Sequence, residues 1–210
     1  MFPISKNEPD YFNQAKKKVL TPKVKEAWDD NNIRNIRRNL REHILLNEQN
    51  LLCAYCEKEI DAEPKNSNID HFKTRHLYPN ETLEYSNLFV SCNSKISCSH
   101  IKDNYRLTKE DYTKIINPIY QNPNDYFEYG FAGDILIKND LSKEQQERAE
   151  FSIEIFNLNH KSLIDNRKFI AESLEVCLQH GCEIDDMIES FNGYTSFIMD
   201  IYKKLQEVKK

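Results

Sequence analysis

The stretch that decides the fold reads Leu51-Leu-Cys53-Ala-Tyr-Cys56-Glu-Lys, then Ile69-Asp70-His71-Phe72, then Asn87-Leu88-Phe-Val-Ser-Cys92-Asn, and closes on Cys98-Ser-His100-Ile-Lys102. Two residues between Cys53 and Cys56 let both thiolates reach one ion from a tight turn, and Cys92 and Cys98 supply a second pair. Four thiolates complete a tetrahedral shell with no open position, as expected for a structural zinc rather than a catalytic one. A lone CxxC also occurs in redox sites, so the second pair carries the argument. The other two cysteines, Cys177 and Cys182, fall in a helical stretch and read as small buried apolar residues.

Between the two pairs lies a different chemistry. Asp70 and His71 place a carboxylate and an imidazole side by side, Asn87 follows sixteen residues after His71, and His100 and Lys102 follow the last cysteine. Hydrolysis of a phosphodiester needs an activated water and a cation on the non-bridging and leaving oxygens. His71 is suited to take a proton near neutral pH. Asp70 offers a hard oxygen ligand to a divalent ion, Mg2+ or Mn2+, and His100 a second ligand from the following helix. Asn87 can pin the loop through side-chain bonds to backbone. Lys102 or Arg75 can steady phosphate charge. His43, His76, His160 and His180 read as exposed or satisfied histidines.

Working outward, Gly is scarce, 4 in 210 residues, which suits a mostly helical chain. Upstream, Thr21-Pro22 reads as a helix start. Val24, Ala27, Trp28, Ile33, Ile36, Leu40 and Ile44 then recur at helical spacing, with Asp29-Asp30-Asn31-Asn32 a candidate break. Residues 69–72 and 88–91 read as short strands. Downstream, residues 126–129 and 134–137 read as a hairpin turned around Gly130 and Gly133. Ser142-Lys-Glu-Gln145 resembles a capping box. A helix from Lys161 stops at Gly181, and an apolar stripe from Ile184 to Leu205 reads as one further helix. The expected fold is α+β, in three parts: an N-terminal helical arm over 1–50, a zinc-bearing core over 51–110, and a hairpin with C-terminal helices over 111–210.

The formal net charge is −5, yet residues 16–41 hold nine basic and three acidic residues, and residues 140–200 hold thirteen acidic and five basic. That asymmetry reads either as one face for an anion and another for a protein partner or as two ordinary solvated helix faces. The N-terminus carries no apolar signal core and no run of about 18 apolar residues occurs, so a cytoplasmic, reducing setting is expected, where paired cysteines serve metals better than disulfides.

These motifs, Cys53-x2-Cys56, Asp70-His71, Asn87-Leu88 and Cys92 to Lys102, resemble the HNH endonuclease family with its ββα-metal core. The resemblance is closer to one branch, the PtuB-like HNH proteins of Septu and retron anti-phage defence systems. Ile-Asn-Pro at 116–118, Phe-Asn-Leu-Asn at 156–159 and Arg167-Lys168 extend it over residues 8–170. It implies a nuclease that cuts DNA or RNA beside a PtuA-like ABC-type ATPase, joined in retrons by a reverse transcriptase with its RNA–DNA hybrid molecule. It also assigns His71, Asp70, Asn87 and His100 to the catalytic set. One departure stands out. Many HNH enzymes place a ligand Asn directly after the last zinc cysteine, where this chain has Ser99; His100 follows, with Asn104 as a fallback. The alternative is a zinc-dependent module that binds nucleic acid or protein without cutting. Such a module needs the cysteines but not Asp70, His71 or His100. A vestigial centre is a third reading, and the intact set argues against it.

Overall fold

Short polar breaks and caps divide this chain into many small elements. In the computed structural model, residues 1–20, 24–191 and 193–208 are described, and helix predominates over two separate two-stranded sheets. Helix α1 (Asp10–Lys17) has an acid in its first turn and Lys16 and Lys17 in its last, both favourable to the helix dipole, and it buries Phe12 and Ala15. The expected start at Thr21-Pro22 lies outside the described residues. The Asp29–Asn32 run does break the helix. Val24–Asp29 is a 3-10 segment, after which Asp30 turns extended and accepts from the Asn32 N–H at 2.8 Å, capping the short α2 (Asn31–Arg34). Helix α3 (Arg37–Asn47) then buries Leu40, Ile44 and Leu45.

Strands β1 (Ser67–His71) and β2 (Leu88–Cys92) pair antiparallel, with Asp70 opposite Phe89 and His71 opposite Leu88. Strand β2 is buried along its whole length, Ser91 included, so its residues do not alternate between core and solvent. Helix α4 (Cys98–Asn104) packs back onto β2. The expected hairpin forms from β3 (Phe127–Tyr129) and β4 (Ile135–Ile137). Ser142 makes both bonds of a capping box with Gln145 and opens α5 (Lys143–Ile155). Helix α6 (Lys161–Gln179) ends just before Gly181, which takes a φ of +79°.

The single helix expected from Ile184 to Leu205 is two: α7 (Ile184–Ser190) and α8 (Thr195–Val208). The break is set by contact with the cysteine turn. Gly193 has φ +106°, and a Cβ there would stand 2.3 Å from the Glu57 carbonyl oxygen. Beside it the Tyr194 N–H donates to that same carbonyl at 2.7 Å. The buried Glu57 carboxylate accepts from the Met1 ammonium (2.8 Å) and from the Ser196 N–H at the start of α8 (2.9 Å). Residues on both sides of the break pack into one core, so the apolar stripe hides it.

That core is continuous. It joins Phe12, Trp28 and Leu40 of the N-terminal part to Tyr55, Phe72 and Phe89, and these to Phe156, Phe197 and Ile201. Among the described residues, no helix is long and apolar enough to cross a membrane.

Candidate functional site

The tight turn at 53–56 presents two thiols, the end of β2 presents Cys92, and the first residue of α4 presents Cys98. All four are buried, and their sulfurs lie within 4.8 Å of one another, with Cys53 Sγ to Cys98 Sγ at 3.7 Å and Cys56 Sγ to Cys92 Sγ at 3.9 Å. Four sulfurs bound tetrahedrally at zinc–sulfur distance stand about 3.8 Å apart, so the cluster fits a metal ion and is compatible with structural zinc. The Cys92 N–H donates to Cys53 Sγ at 3.3 Å, the kind of outer bond that orients a ligand. Cys98 takes a left-handed φ of +62° to aim its sulfur, with its N–H satisfied by the Phe156 carbonyl at 2.8 Å. Cys177 and Cys182 are half-buried at the far end of α6, not fully buried as expected.

A cavity of about 800 Å³ opens beside β1 and α4. Asp70, His71, Arg75, Ser99, His100 and Asp103 line it, with Trp28, Asn68, Lys95 and Asn104 around them. His71 is packed edge-on by Trp28, with ring centroids 4.7 Å apart. Its Nε2 lies 2.9 Å from the Thr82 carbonyl oxygen. A carbonyl only accepts, so Nε2 carries the proton and Nδ1 keeps a lone pair. Burial lowers the His71 pKa to about 4, outweighing the upward pull of Thr82 and Asp70, and the imidazole is neutral at pH 7.

Asp70 is buried and held from two sides. The Tyr55 hydroxyl donates to Oδ2, and Lys102 Nζ donates to Oδ1 at 2.9 Å. Tyr55 is the second of the two residues between the paired cysteines. It is fully buried and stacks on Phe156, with centroids 4.0 Å apart. Lys102 does not reach the cavity as a phosphate ligand. It is fully buried, and also donates to the His71 and Phe72 carbonyls at 2.6 and 3.2 Å. Desolvation would lower its pKa, but the carboxylates of Asp70 and Asp103 raise it further, so it is charged. The reason is helical register: one turn past Cys98, Lys102 lies on the α4 face that packs onto the sheet.

Asn87 also lies behind the cavity. Its Oδ1 accepts from the Lys73 N–H at 2.8 Å, and its Nδ2 donates to the Lys73 and Glu81 carbonyls at 3.0 and 3.1 Å. Both backbone groups of the residue two past His71 are thereby clamped. His100 is exposed on α4 and faces the cavity. So Asp70, His71 and His100 share one cavity, while Asn87 braces it from behind. Among the described residues, only the four cysteines bring three or more Cys, His, Asp or Glu ligand atoms that close together. The cavity offers oxygen and imidazole donors in an open arrangement, which suits a hydrated divalent ion. Sequence reasoning missed Tyr55, Thr82 and Asp103. The spacing of Ser99, His100 and Asp103 on one helical face was the available signal for the last.

No family model matches the chain. Among curated proteins, the Septu protein PtuB of Bacillus thuringiensis is 29% identical over 115 residues, covering 55% of this chain and 39% of the relative. The Septu protein PtuB of Bacillus mycoides (strain KBAB4) is 23% identical over 190 residues, covering 77% and 59%. An Escherichia coli protein named as a candidate HNH endonuclease of retron Ec83 is 29% identical over 181 residues, covering 68% and 69%. The chain is similar to PtuB-like HNH proteins. The resemblance read from the cysteine and Asp-His motifs is thereby borne out. The chain spans less than two thirds of the length of the two PtuB relatives.

Proposed function

We propose that this chain is a metal-dependent HNH endonuclease, the nucleic-acid-cutting component of an anti-phage defence system of Septu or retron type. In this reading β1, β2 and α4 form the ββα-metal core, with the four cysteines as its zinc staple. The observation that carries the proposal is the state of His71: buried, neutral, its Nε2–H spent on the Thr82 carbonyl, its Nδ1 lone pair left for water, and Asp70 beside it.

The residues divide the work. His71 accepts the proton of the attacking water at Nδ1. Asp70 and His100 would hold Mg2+ or Mn2+. That ion, when bound, supplies positive charge to the non-bridging and leaving phosphate oxygens. Tyr55 and Lys102 fix Asp70 in direction by donating to its two oxygens. Asn87 holds the backbone after β1 so that His71 cannot swing away. Arg75, at the cavity edge, is placed to meet phosphate charge. The test is His71→Ala assayed on both DNA and RNA. Loss of a general base lowers the rate by about 10²–10⁴-fold, with zinc content and melting temperature unchanged. Activity within a few-fold of wild type would sink the assignment of His71 as the base.

Control belongs to a partner in this reading. The basic run over residues 16–41 favours phosphate, while the stretch from Phe169 to Tyr202 contains seven acids and no Lys or Arg. We assign the first to the nucleic acid and the second to a PtuA-like ABC-type ATPase, joined in a retron setting by the reverse transcriptase and its RNA–DNA hybrid molecule. The isolated chain should cut weakly or not at all, and the complex with the neighbouring ATPase should cut once its restraint is lifted. Equal cleavage by the two preparations would refute external control.

A further inference from the structure

Asp103 lines the same cavity as Asp70, His71 and His100, and the reading above gives it no task. It follows Ser99 by four residues and His100 by three on α4, so the three side chains share one face. One of its carboxylate oxygens lies 3.2 Å from Lys102 Nζ, and Lys102 Nζ lies 2.9 Å from Asp70 Oδ1. The two carboxylates therefore share a single ammonium, contributed from different elements.

The distribution of that charge matters. Lys102 is fully buried beneath the pair, while the Asp103 side chain is 55% exposed. Two negative charges and one positive leave a surplus negative charge, and the surplus faces the cavity. Arg75 does not cancel it, because its guanidinium is paired with Asp29 at 3.1 Å. A second, independent feature points into the same space: the nine-tenths buried His71, whose Nδ1 lone pair is free of the Thr82 bond. Ser99, at the position where an Asn ligand was expected from the resemblance, is buried and offers only a neutral hydroxyl. Hard divalent cations prefer carboxylate oxygen.

We propose that Asp103 is a further ligand of the divalent ion, the second carboxylate beside Asp70, supplying an anionic oxygen from the next turn of α4, where the resemblance has a neutral Asn at the position of Ser99. Lys102 acts as a positioning residue that ties the two carboxylates together from below. The inference rests on the metal-dependent reading of the cavity.

The test is Mn2+ binding to the purified, zinc-loaded full chain, followed by loss of the free Mn2+ paramagnetic resonance signal. Asp103→Asn keeps the shape and removes the charge. It should weaken Mn2+ binding about tenfold or more, with zinc content and melting temperature unchanged. Asp103→Glu, which keeps the charge, should recover part of the loss, and Ser99→Ala should titrate like wild type. Wild-type Mn2+ affinity in Asp103→Asn overturns the assignment, because a purely structural ion pair with Lys102 would leave Mn2+ binding untouched. Loss of binding confined to Ser99→Ala overturns it as well. If wild type and Asp70→Asn alike take up no Mn2+, the failure lies with the metal-dependent reading itself, and the assignment falls with it.

Discussion

The cysteine cluster and the cavity differ in how their polar groups are closed off. On one side four buried thiols lie with their sulfurs within 4.8 Å of one another. On the other an open cavity holds one neutral imidazole, exposed His100 and two carboxylates braced by a buried ammonium. The closed side is suited to stability and the open side to chemistry, and Tyr55 belongs to both. Its backbone lies inside the cysteine turn while its hydroxyl reaches Asp70. The lesson is that a structural ion can set the geometry of a reactive site that it never touches.

The contrast breaks first at the cysteines. Cys56→Ser should lose zinc and the cooperative thermal transition together, because ligand binding and folding of such a site are coupled. Elemental analysis with thermal melting reads it, and full zinc with unchanged melting would end the four-cysteine assignment. His71→Ala should do the opposite, sparing zinc and melting while cleavage falls by about 10²–10⁴-fold. If both variants lost stability alike, the two sides would not be separable. Tyr55→Phe sharpens the comparison, since it keeps the ring stacked on Phe156 and deletes only the bond to Asp70. Removing a buried bond to a charged group should cost about 1–3 kcal/mol in a denaturant melt, with zinc retained. An unchanged midpoint would mean that Lys102 alone holds Asp70.

Much of this architecture is local and was legible for that reason. Strands β1 and β2, the Ser142 cap, the stop at Gly181 and the cysteine spacing each depend on a few neighbouring residues. What escaped depends on what comes to lie opposite. The apolar run from Ile184 to Leu205 carries no mark of its break, because the break is imposed by Glu57 from far along the chain. Lys102 reads as a surface cation near a phosphate site until the register of α4 turns it under the sheet. Tyr55 carries no mark of a role in the sequence, and only the fold brings Asp70 to its hydroxyl. In the candidate site, residue types were readable from the sequence. Their division into cavity wall, brace and counter-charge needed the third dimension.

Glu57 immediately follows a cysteine of the cluster, with a left-handed φ of +62°, and the start of α8 rests on its carbonyl and carboxylate. The fastening between Glu57 and Ser196 spans 139 residues of sequence. Metal occupancy should therefore be audible at a distance. Stripping the ion with a chelator should let the amides of Tyr194 and Ser196 exchange with deuterated water well before those of α5. Uniform loss of protection across both helices would instead mean that the whole chain unfolds as one unit. With graded loss, the C-terminal helix would be a gauge of the cysteine cluster, loosening first when the ion departs.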